Sequence, residues 1–455
     1  MTPSLILINP WIHDFAAYDL WSKPLGLLYL AGYLRARGFR IHLIDCLDIH
    51  HPGMGSDPST PGPKRRAYGT GKFQREVITK PGPLEHVPRS YSRYGISRDL
   101  FIRALKEIER PAGILVTSLM TYWYPGVKET INLAREAHPG TPVILGGIYA
   151  RLCREHALQF SGADLVINSG GLEGMESIVE TLRGCGIEGR QPSMFPRTRP
   201  YPAFDLLNKI DYIPLVTSFG CPFRCLYCAS HLLNPGYSRR DPNEVIEEIL
   251  YWHRAFGVRD FAFYDDALLF ESKIHISLIL EGLIRLNPDL RFHTPNALHI
   301  REITSEVSKQ LYHSGFRTIR LGLETSDMTL HHELDKKVSE GEFERAVKHL
   351  QEAGFRQLDI GAYILMGLPG QSIESVKQTI EYVGRTGAAP FLAEYSPLPH
   401  TQLWEKALAH SEYDLIAEPL FHNNTLLPCW DGDRRGEVPA LKKRVREIRQ
   451  HLDRH

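Results

Sequence analysis

The sequence predicts an α/β protein in two parts, a doubly wound parallel sheet followed by a partial (β/α)6 barrel. Three observations carry this expectation. Short, nearly continuous Val/Ile/Leu runs alternate with helical patterns through the first half, as strands buried on both faces require. A Pro/Arg-rich stretch without period follows. The alternation then resumes and repeats six times. At 455 residues the chain exceeds one ordinary domain. The expected divisions are residues 1–185 for the sheet domain, 186–208 for a linker, 209–401 for the barrel and 402–455 for a helical tail.

In the first half the strand candidates are Ser4–Pro10, Arg40–Cys46, Ala112–Ser118, Thr141–Gly147 and Ala163–Ser169. Helices are expected over Pro24–Arg37, Pro125–His138, Arg151–Phe160 and Gly174–Arg183. Five strands suit a flavodoxin-like order, whose ligands sit beyond the carboxyl ends of the strands. The insertion His50–Tyr94 is rich in Pro, Gly, Arg and Tyr; its aromatic and basic content predicts an ordered cover over one edge of the sheet. Gly69-Thr70-Gly71-Lys72 within it lacks the full spacing and the leading strand of a phosphate loop. Gly186–Asn208 reads as the linker.

In the second half the strand candidates are Ile213–Ser218, Asp260–Asp265, Arg291–Thr294, Thr318–Leu323, Gln357–Leu365 and Phe391–Ser396. Helices fall between them over Pro242–Phe256, Glu271–Leu286, Glu340–Ala353 and Ile373–Thr386, the first opened by an Asp241 cap and a first-turn proline. Chemistry in such a barrel gathers at the carboxyl ends of the strands. The tail after Leu403 is less patterned and ends in a charged helix that reads as a solvated amphipathic closure of the barrel.

Composition excludes several function classes. Lys+Arg and Asp+Glu both number 53, so neither a nucleic-acid grip nor a polybasic membrane anchor is expected. No apolar run reaches the ~18 residues of a membrane span, and no basic stretch precedes the first apolar run as in a secretory signal. Seven cysteines are too few, and an odd number, for a disulfide scaffold. The expected compartment is the cytoplasm, and clustered cysteines read as metal or redox chemistry.

The cluster is Gly220-Cys221-Pro222-Phe223-Arg224-Cys225-Leu226-Tyr227-Cys228, directly after the first barrel strand. Structural zinc takes four ligands, and Cys46, Cys153, Cys185 and Cys429 form no second pair. A [4Fe–4S] cluster normally takes four cysteines; three leave one iron open to bind a ligand and do chemistry. The alternatives are a zinc knuckle completed by a histidine such as His231, or a CxxC redox pair.

C-x3-C-x2-C in this place, with an aromatic before the last cysteine, resembles the radical S-adenosylmethionine (SAM) superfamily over roughly Ile213 to Thr401. The resemblance implies that Cys221, Cys225 and Cys228 bind a [4Fe–4S] cluster whose open iron chelates SAM. One electron, from a donor such as flavodoxin or ferredoxin, would then cleave SAM to a 5′-deoxyadenosyl radical. It further implies SAM contacts from Tyr227, from Asp265 toward the amine, from Asn296 toward ribose or carboxylate oxygens, from Glu324, and from Gly367, where backbone nears the adenosyl group. Each also has a structural reading: Asp266 as a helix cap, Glu324 as an ion-pair partner, Gly367–Gly370 as a turn. No catalytic residue is assigned.

The first half resembles the cobalamin-binding domain fused in front of many radical SAM enzymes. Asn9-Pro10, the helix opening at Pro24 and the small residues Ser118, Gly146, Gly147, Gly170 and Gly171 carry this resemblance. It implies a corrin over the carboxyl edge of the sheet; a degenerate domain without cofactor is the alternative. Asp48-Ile49-His50-His51-Pro52-Gly53 matches the Asp-x-His-x-x-Gly signature of histidine-ligated cobalamin, but after the second strand and before a loop, so no histidine is expected beneath cobalt. Tyr122, Trp123 and Tyr124 read equally as cofactor-facing or packing aromatics. Together the resemblances imply methyl transfer to an unactivated carbon of a small-molecule or peptide substrate. Rearrangement or another carbon-centred modification, and a cluster-binding regulatory module, are the rivals. Methylthio transfer would need a second Cys group.

Overall fold

The computed structural model describes residues 2–54, 62–189 and 200–454. The chain forms two compact units, one of Met1–Asp211 with Glu418–Phe421 and one of Tyr212–Ala417 with His422–His455.

The first unit is built on strands β1 (Ser4–Asn9), β2 (Arg40–Asp45), β3 (Gly113–Val116), β4 (Val143–Leu145) and β5 (Leu165–Val166). They pair in parallel in the order β5-β4-β3-β1-β2, the flavodoxin-like order. Alternation along β1 sends Leu5 and Leu7 to one face and Ile6 and Ile8 to the other. The first pair packs with helices α1 (Leu25–Arg35) and α6 (Gly171–Gly184); the second packs with α2 (Arg98–Lys106), α3 (Tyr124–Ala137), α4 (Ile148–Leu152) and α5 (Arg154–Phe160). The helix expected over Arg151–Phe160 is thus two, broken at Cys153, whose dihedrals are φ −127° and ψ 50°. Helix α2 was not anticipated, although Ser97 caps it and Leu100, Phe101 and Leu105 form its buried stripe.

The insertion is ordered into short strands in its described part. Arg75–Val77 and Ser92–Tyr94 pair antiparallel with each other, and Ser92–Tyr94 pairs with Ile12–Asp14 just after β1. Gly71–Lys72 pairs with Tyr18–Asp19, so Gly69–Lys72 is ladder and turn, not a phosphate loop. Residues 55–61 of the insertion and 190–199 of the expected linker lie outside the described residues. Residues 200–208 are packed on the sheet domain: Ala203 joins the α1 core and its N–H bonds to the Leu28 carbonyl.

The second unit carries β6 (Ile213–Leu215), β7 (Asp260–Phe263), β8 (Arg291–His293), β9 (Phe316–Glu324), β10 (Ile360–Met366) and β11 (Ala389–Glu394), all parallel and in chain order. Six strands in sequence, each pair joined through a helical crossover, make the partial barrel. Its helices are α7 (Pro242–Phe256), α8 (Ile276–Leu286), α9 (Ser305–Ser314), α10 (Met328–Leu334), α11 (Glu342–Ala353), α12 (Ile373–Arg385), α13 (Trp404–His410) and α14 (Gly432–Leu452). The C-terminal helix is longer than the charged run suggested. It buries Leu441, Val445, Ile448 and Leu452, a stripe at helical spacing. It lies along β11, covering the open edge of the sheet, with Lys442 2.7 Å from Glu394. Among the described residues no helix is long and apolar enough to cross a membrane.

Candidate functional site

The cysteine loop is held by a hairpin that the sequence did not signal. Ser218–Gly220 pairs antiparallel with Tyr237–Arg239. Gly220 opens the loop with φ +76°, and a Cβ there would sit 2.0 Å from the Gly236 carbonyl oxygen, so only glycine fits. Asp265, expected to meet SAM, is instead turned inward. Its carboxylate accepts from the Thr217 and Ser218 N–H groups at 3.0 and 2.6 Å and from both hydroxyls at 2.7 Å. It pins the strand that leads into the cysteines. Phe223 stacks on His299 at 4.1 Å, fixing the loop against the segment after β8.

Cys225 is buried; Cys221 and Cys228 are half-buried. Ser230 N–H points at Cys228 Sγ from 3.4 Å, with Ser230 Oγ at 3.3 Å. Burial pushes the Cys221 thiol up to about 11 and raises Cys225, the latter against the opposing pull of Lys337. A bound cation supplies the charge that turns such buried thiols into thiolates. Among the described residues no three His, Cys, Asp or Glu groups are close enough to hold a single ion. A cubane takes each thiolate at a different iron, and this donor set fits it.

Beyond β9 lies a buried charged cluster. Glu324 ends the strand at φ +65°, a left-handed conformation for a non-glycine residue, where the register with β10 slips between Gly322 and Glu324. Holding a non-glycine residue there costs conformational energy that its surroundings must offset. Burial raises the Glu324 carboxyl above the usual range, opposed by Lys337. Tyr227 donates to Asp335 Oδ2 at 3.0 Å, and Lys337 Nζ donates to Tyr227 Oη at 3.1 Å. His331 Nδ1 lies 2.8 Å from Asp335 Oδ1. Burial lowers Lys337, but Glu324, Cys225 and Asp335 outweigh it and hold the ammonium above its ordinary value. The geometry thus gathers Tyr227, Glu324, Asp335, Lys337 and His331. Leu334-Asp335-Lys336-Lys337 reads in sequence as a solvated charge run; only burial distinguishes it.

Asn296 is exposed, and its Nδ2 donates to the carbonyls of Tyr264 and Asp265 at 2.8 and 3.4 Å. Gly367 has φ +98°, and the Gln371 side chain clasps the turn: Oε1 accepts from Gly367 N–H at 3.0 Å and Nε2 donates to Leu365 O at 2.9 Å. Cys429 is buried, its thiol pushed up to about 12 by burial.

In the first unit the small residues at the strand ends divide into two kinds. Ser118 is buried, its Oγ donating to the Gly146 carbonyl at 2.7 Å, and a Cβ on Gly147 (φ +94°) would lie 2.2 Å from Ser118 O. A Cβ on Gly170 would meet the Arg151 guanidinium at 2.3 Å. Ser118 and Gly147 are small for internal packing, whereas the guanidinium beside Gly170 is the far end of a flexible side chain that can move aside. Gly146 and Gly171 face open space, with nothing within 4 Å of a Cβ. A broad flat group resting on the sheet edge has room at those two. His50 pairs with Asp211 and Asp48 takes Asn208 Nδ2 at 2.6 Å, so the Asp-x-His-x-x-Gly string fastens residues 208–211. Trp123 Nε1 donates to Asp14 at 2.7 Å and Tyr124 stacks on Tyr149 at 5.7 Å.

A six-stranded parallel barrel with a three-cysteine loop at its first strand, joined to a flavodoxin-like sheet, defines a class of cofactor-using α/β protein. Residues 215–383 match the radical SAM superfamily model. It is 30% identical to an uncharacterized methyltransferase of Pyrococcus horikoshii over 47% of each chain, and so spans about half the length of that relative. It is 20% identical to cytidylyl-2-hydroxyethylphosphonate methyltransferase of Streptomyces wedmorensis, over 96% of this chain and 88% of that one. In fold it is similar to the radical SAM methyltransferase TsrM of Kitasatospora setae, solved with tryptophan and a SAM analogue; the TM-score is 0.65 at 15% identity, covering 98% of this chain and 89% of that one. The cobalamin-dependent radical SAM enzyme OxsB, solved with aqua-cobalamin and SAM, matches at TM-score 0.58 and 14% identity, over 89% of this chain and 55% of that one.

Proposed function

We propose that this protein is a cobalamin-dependent radical SAM enzyme that methylates an unactivated carbon of a small molecule. The observation that carries the reading is the three-cysteine loop, at the first strand of a parallel barrel, facing a buried carboxylate at the end of the fourth strand. Cys221, Cys225 and Cys228 hold a [4Fe–4S] cluster. When bound, cluster and SAM supply a carbon-centred radical after one-electron reduction, and the corrinoid supplies the methyl group.

The chain's own groups bind and orient. Glu324 binds SAM, its direction set by the left-handed backbone. Asn296 spends its amide hydrogens on two carbonyls, which leaves Oδ1 to accept from a ribose hydroxyl. Gly367, clasped by Gln371, lets the adenosyl group approach the backbone. Asp265 positions the cysteine loop. Gly146 and Gly171 admit the corrin. A flavodoxin or ferredoxin donates the electrons.

The test is anaerobic reconstitution with iron and sulfide, then reduction with SAM. Release of 5′-deoxyadenosine supports the reading; a reconstituted, reduced protein that leaves SAM intact overturns it.

A further inference from the structure

The inner face of the barrel sheet carries a positive charge that no acid of the described chain answers. Helices cover the outer face of such a barrel, and Ile319, Leu321, Ile360, Ala362 and Ile364 on that side are fully buried. Arg320 and Tyr363 alternate with them, and both are half-buried, as is Phe391, the register partner of Tyr363. A Cβ on Gly361 would lie 2.9 Å from Arg320 Nη1 and 2.8 Å from Phe391 Cε2, so the Arg320 side chain crosses that glycine toward β11. Its guanidinium lies 4.2 Å from the centre of the Phe391 ring, and that of Arg449, on α14, lies at the same distance. Arg320 Nη1 donates to the Ile319 carbonyl at 2.8 Å, and the Tyr363 hydroxyl takes a further N–H. A guanidinium has five N–H donors. Among the described residues no carboxylate pairs with this one, and the acids nearby are engaged: Asp260 takes Arg291 Nε at 2.7 Å and His293 at 3.1 Å, and Asp359 takes Arg356 at 2.8 Å.

The same face leads to Glu324. A Cβ on Gly322 would lie 3.3 Å from Glu324 Oε1, so that carboxylate stands over the glycine that separates it from Arg320 along β9. Tyr363 is the register partner of Gly322, and its hydroxyl donates to the Pro295 carbonyl at 2.9 Å, so its ring crosses β9 between the two charged groups. Four strand residues span about 13 Å, within the reach of a small molecule. Burial disfavours the charge on Arg320, and an anion brought to it offsets that cost. Resting on the reading that Glu324 marks the SAM site of a small-molecule methyltransferase, we propose that Arg320 binds an anionic group of the substrate, a carboxylate or a phosphate, on the inner face of the barrel, with Arg449 adding a second positive charge.

The experiment measures anion binding through the rise of the thermal midpoint, with inorganic phosphate in one arm and propionate in the other, each against potassium chloride at equal ionic strength. Wild type is stabilised saturably by at least one of the two. Stronger stabilisation by phosphate identifies a phosphate-bearing substrate, and by propionate a carboxylate-bearing one. Arg320→Met weakens the binding about tenfold, as loss of a charged hydrogen-bond donor implies. Arg320→Lys, which keeps the charge but not the planar fork, falls between, and Arg449→Met weakens binding less than Arg320→Met. A wild type stabilised no more by either anion than by chloride overturns the proposal. Undiminished binding in a folded Arg320→Met protein also overturns it. Where that variant does not fold, undiminished binding in both Arg320→Lys and Arg449→Met overturns it. The measurement needs neither cluster nor SAM, so a failure to release 5′-deoxyadenosine sinks the methyltransferase reading separately from the Arg320 site.

Discussion

At the scale of single residues, Glu324 shows how the chain spends conformational strain. A left-handed non-glycine residue costs roughly 1–3 kcal/mol, and here it ends β9 with a buried carboxylate beside Lys337 and Tyr227. On the proposed reading, removing the carboxylate removes ligand binding and not the fold. Glu324→Ala is expected to weaken SAM binding at least tenfold by equilibrium dialysis while iron content stays at the wild-type level. Wild-type affinity in that variant would show that the carboxylate serves the neighbouring lysine alone. The cysteines give the complementary prediction. Cys221→Ala, Cys225→Ala or Cys228→Ala each abolishes the cluster absorbance after reconstitution, whereas Cys153→Ala, in the other unit, leaves it intact.

At the scale of elements, the cysteine loop depends on two anchors. Asp265 satisfies four donors on Thr217 and Ser218 in a buried site. Deleting it orphans them, and buried unsatisfied donors cost about 1–3 kcal/mol each before relaxation. Asp265→Ala is expected to lower stability toward urea by on the order of 3 kcal/mol and to lose iron as well. A variant as stable as wild type would mean that the strand keeps its course without this carboxylate. Gly220→Ala meets the Gly236 carbonyl at 2.0 Å and must open the hairpin. Its iron binding is expected to fail for that reason.

At the scale of the whole molecule, the prediction concerns the sheet domain as a corrinoid site. The purified protein is expected to retain hydroxocobalamin through gel filtration. The bound Co(II) form should show no nitrogen splitting from histidine, because the His50 imidazole is committed to Asp211. Gly146→Val should preserve the fold, since nothing lies within 4 Å of its Cβ, and yet abolish cobalamin uptake. Gly147→Val should damage the domain itself by colliding with Ser118. Retention of cobalamin by a folded Gly146→Val protein would move the corrin away from that strand end.

The sequence by itself determined the α/β class, the two sheets, nearly every barrel strand to within a few residues, and the cysteine triplet. Those features are written locally: apolar runs, turn residues and cysteine spacing need no distant partner to be read. The tertiary structure alone decided which residues serve the site and which serve the scaffold. Asp265 and Glu324 look alike in sequence, as acids at strand ends, yet one is saturated by Thr217 and Ser218 and the other lies by Lys337. Ser118 and Gly147 read as cofactor-facing, but they pack against each other, Ser118 backbone lying 2.2 Å from where a Gly147 Cβ would sit. Lys337 and Asp335 sit in a polar run and become a buried pair only when Tyr227, more than a hundred positions earlier, folds against them. Burial and pairing are properties of what surrounds a side chain, and for these residues the surroundings come from parts of the chain that no local pattern records.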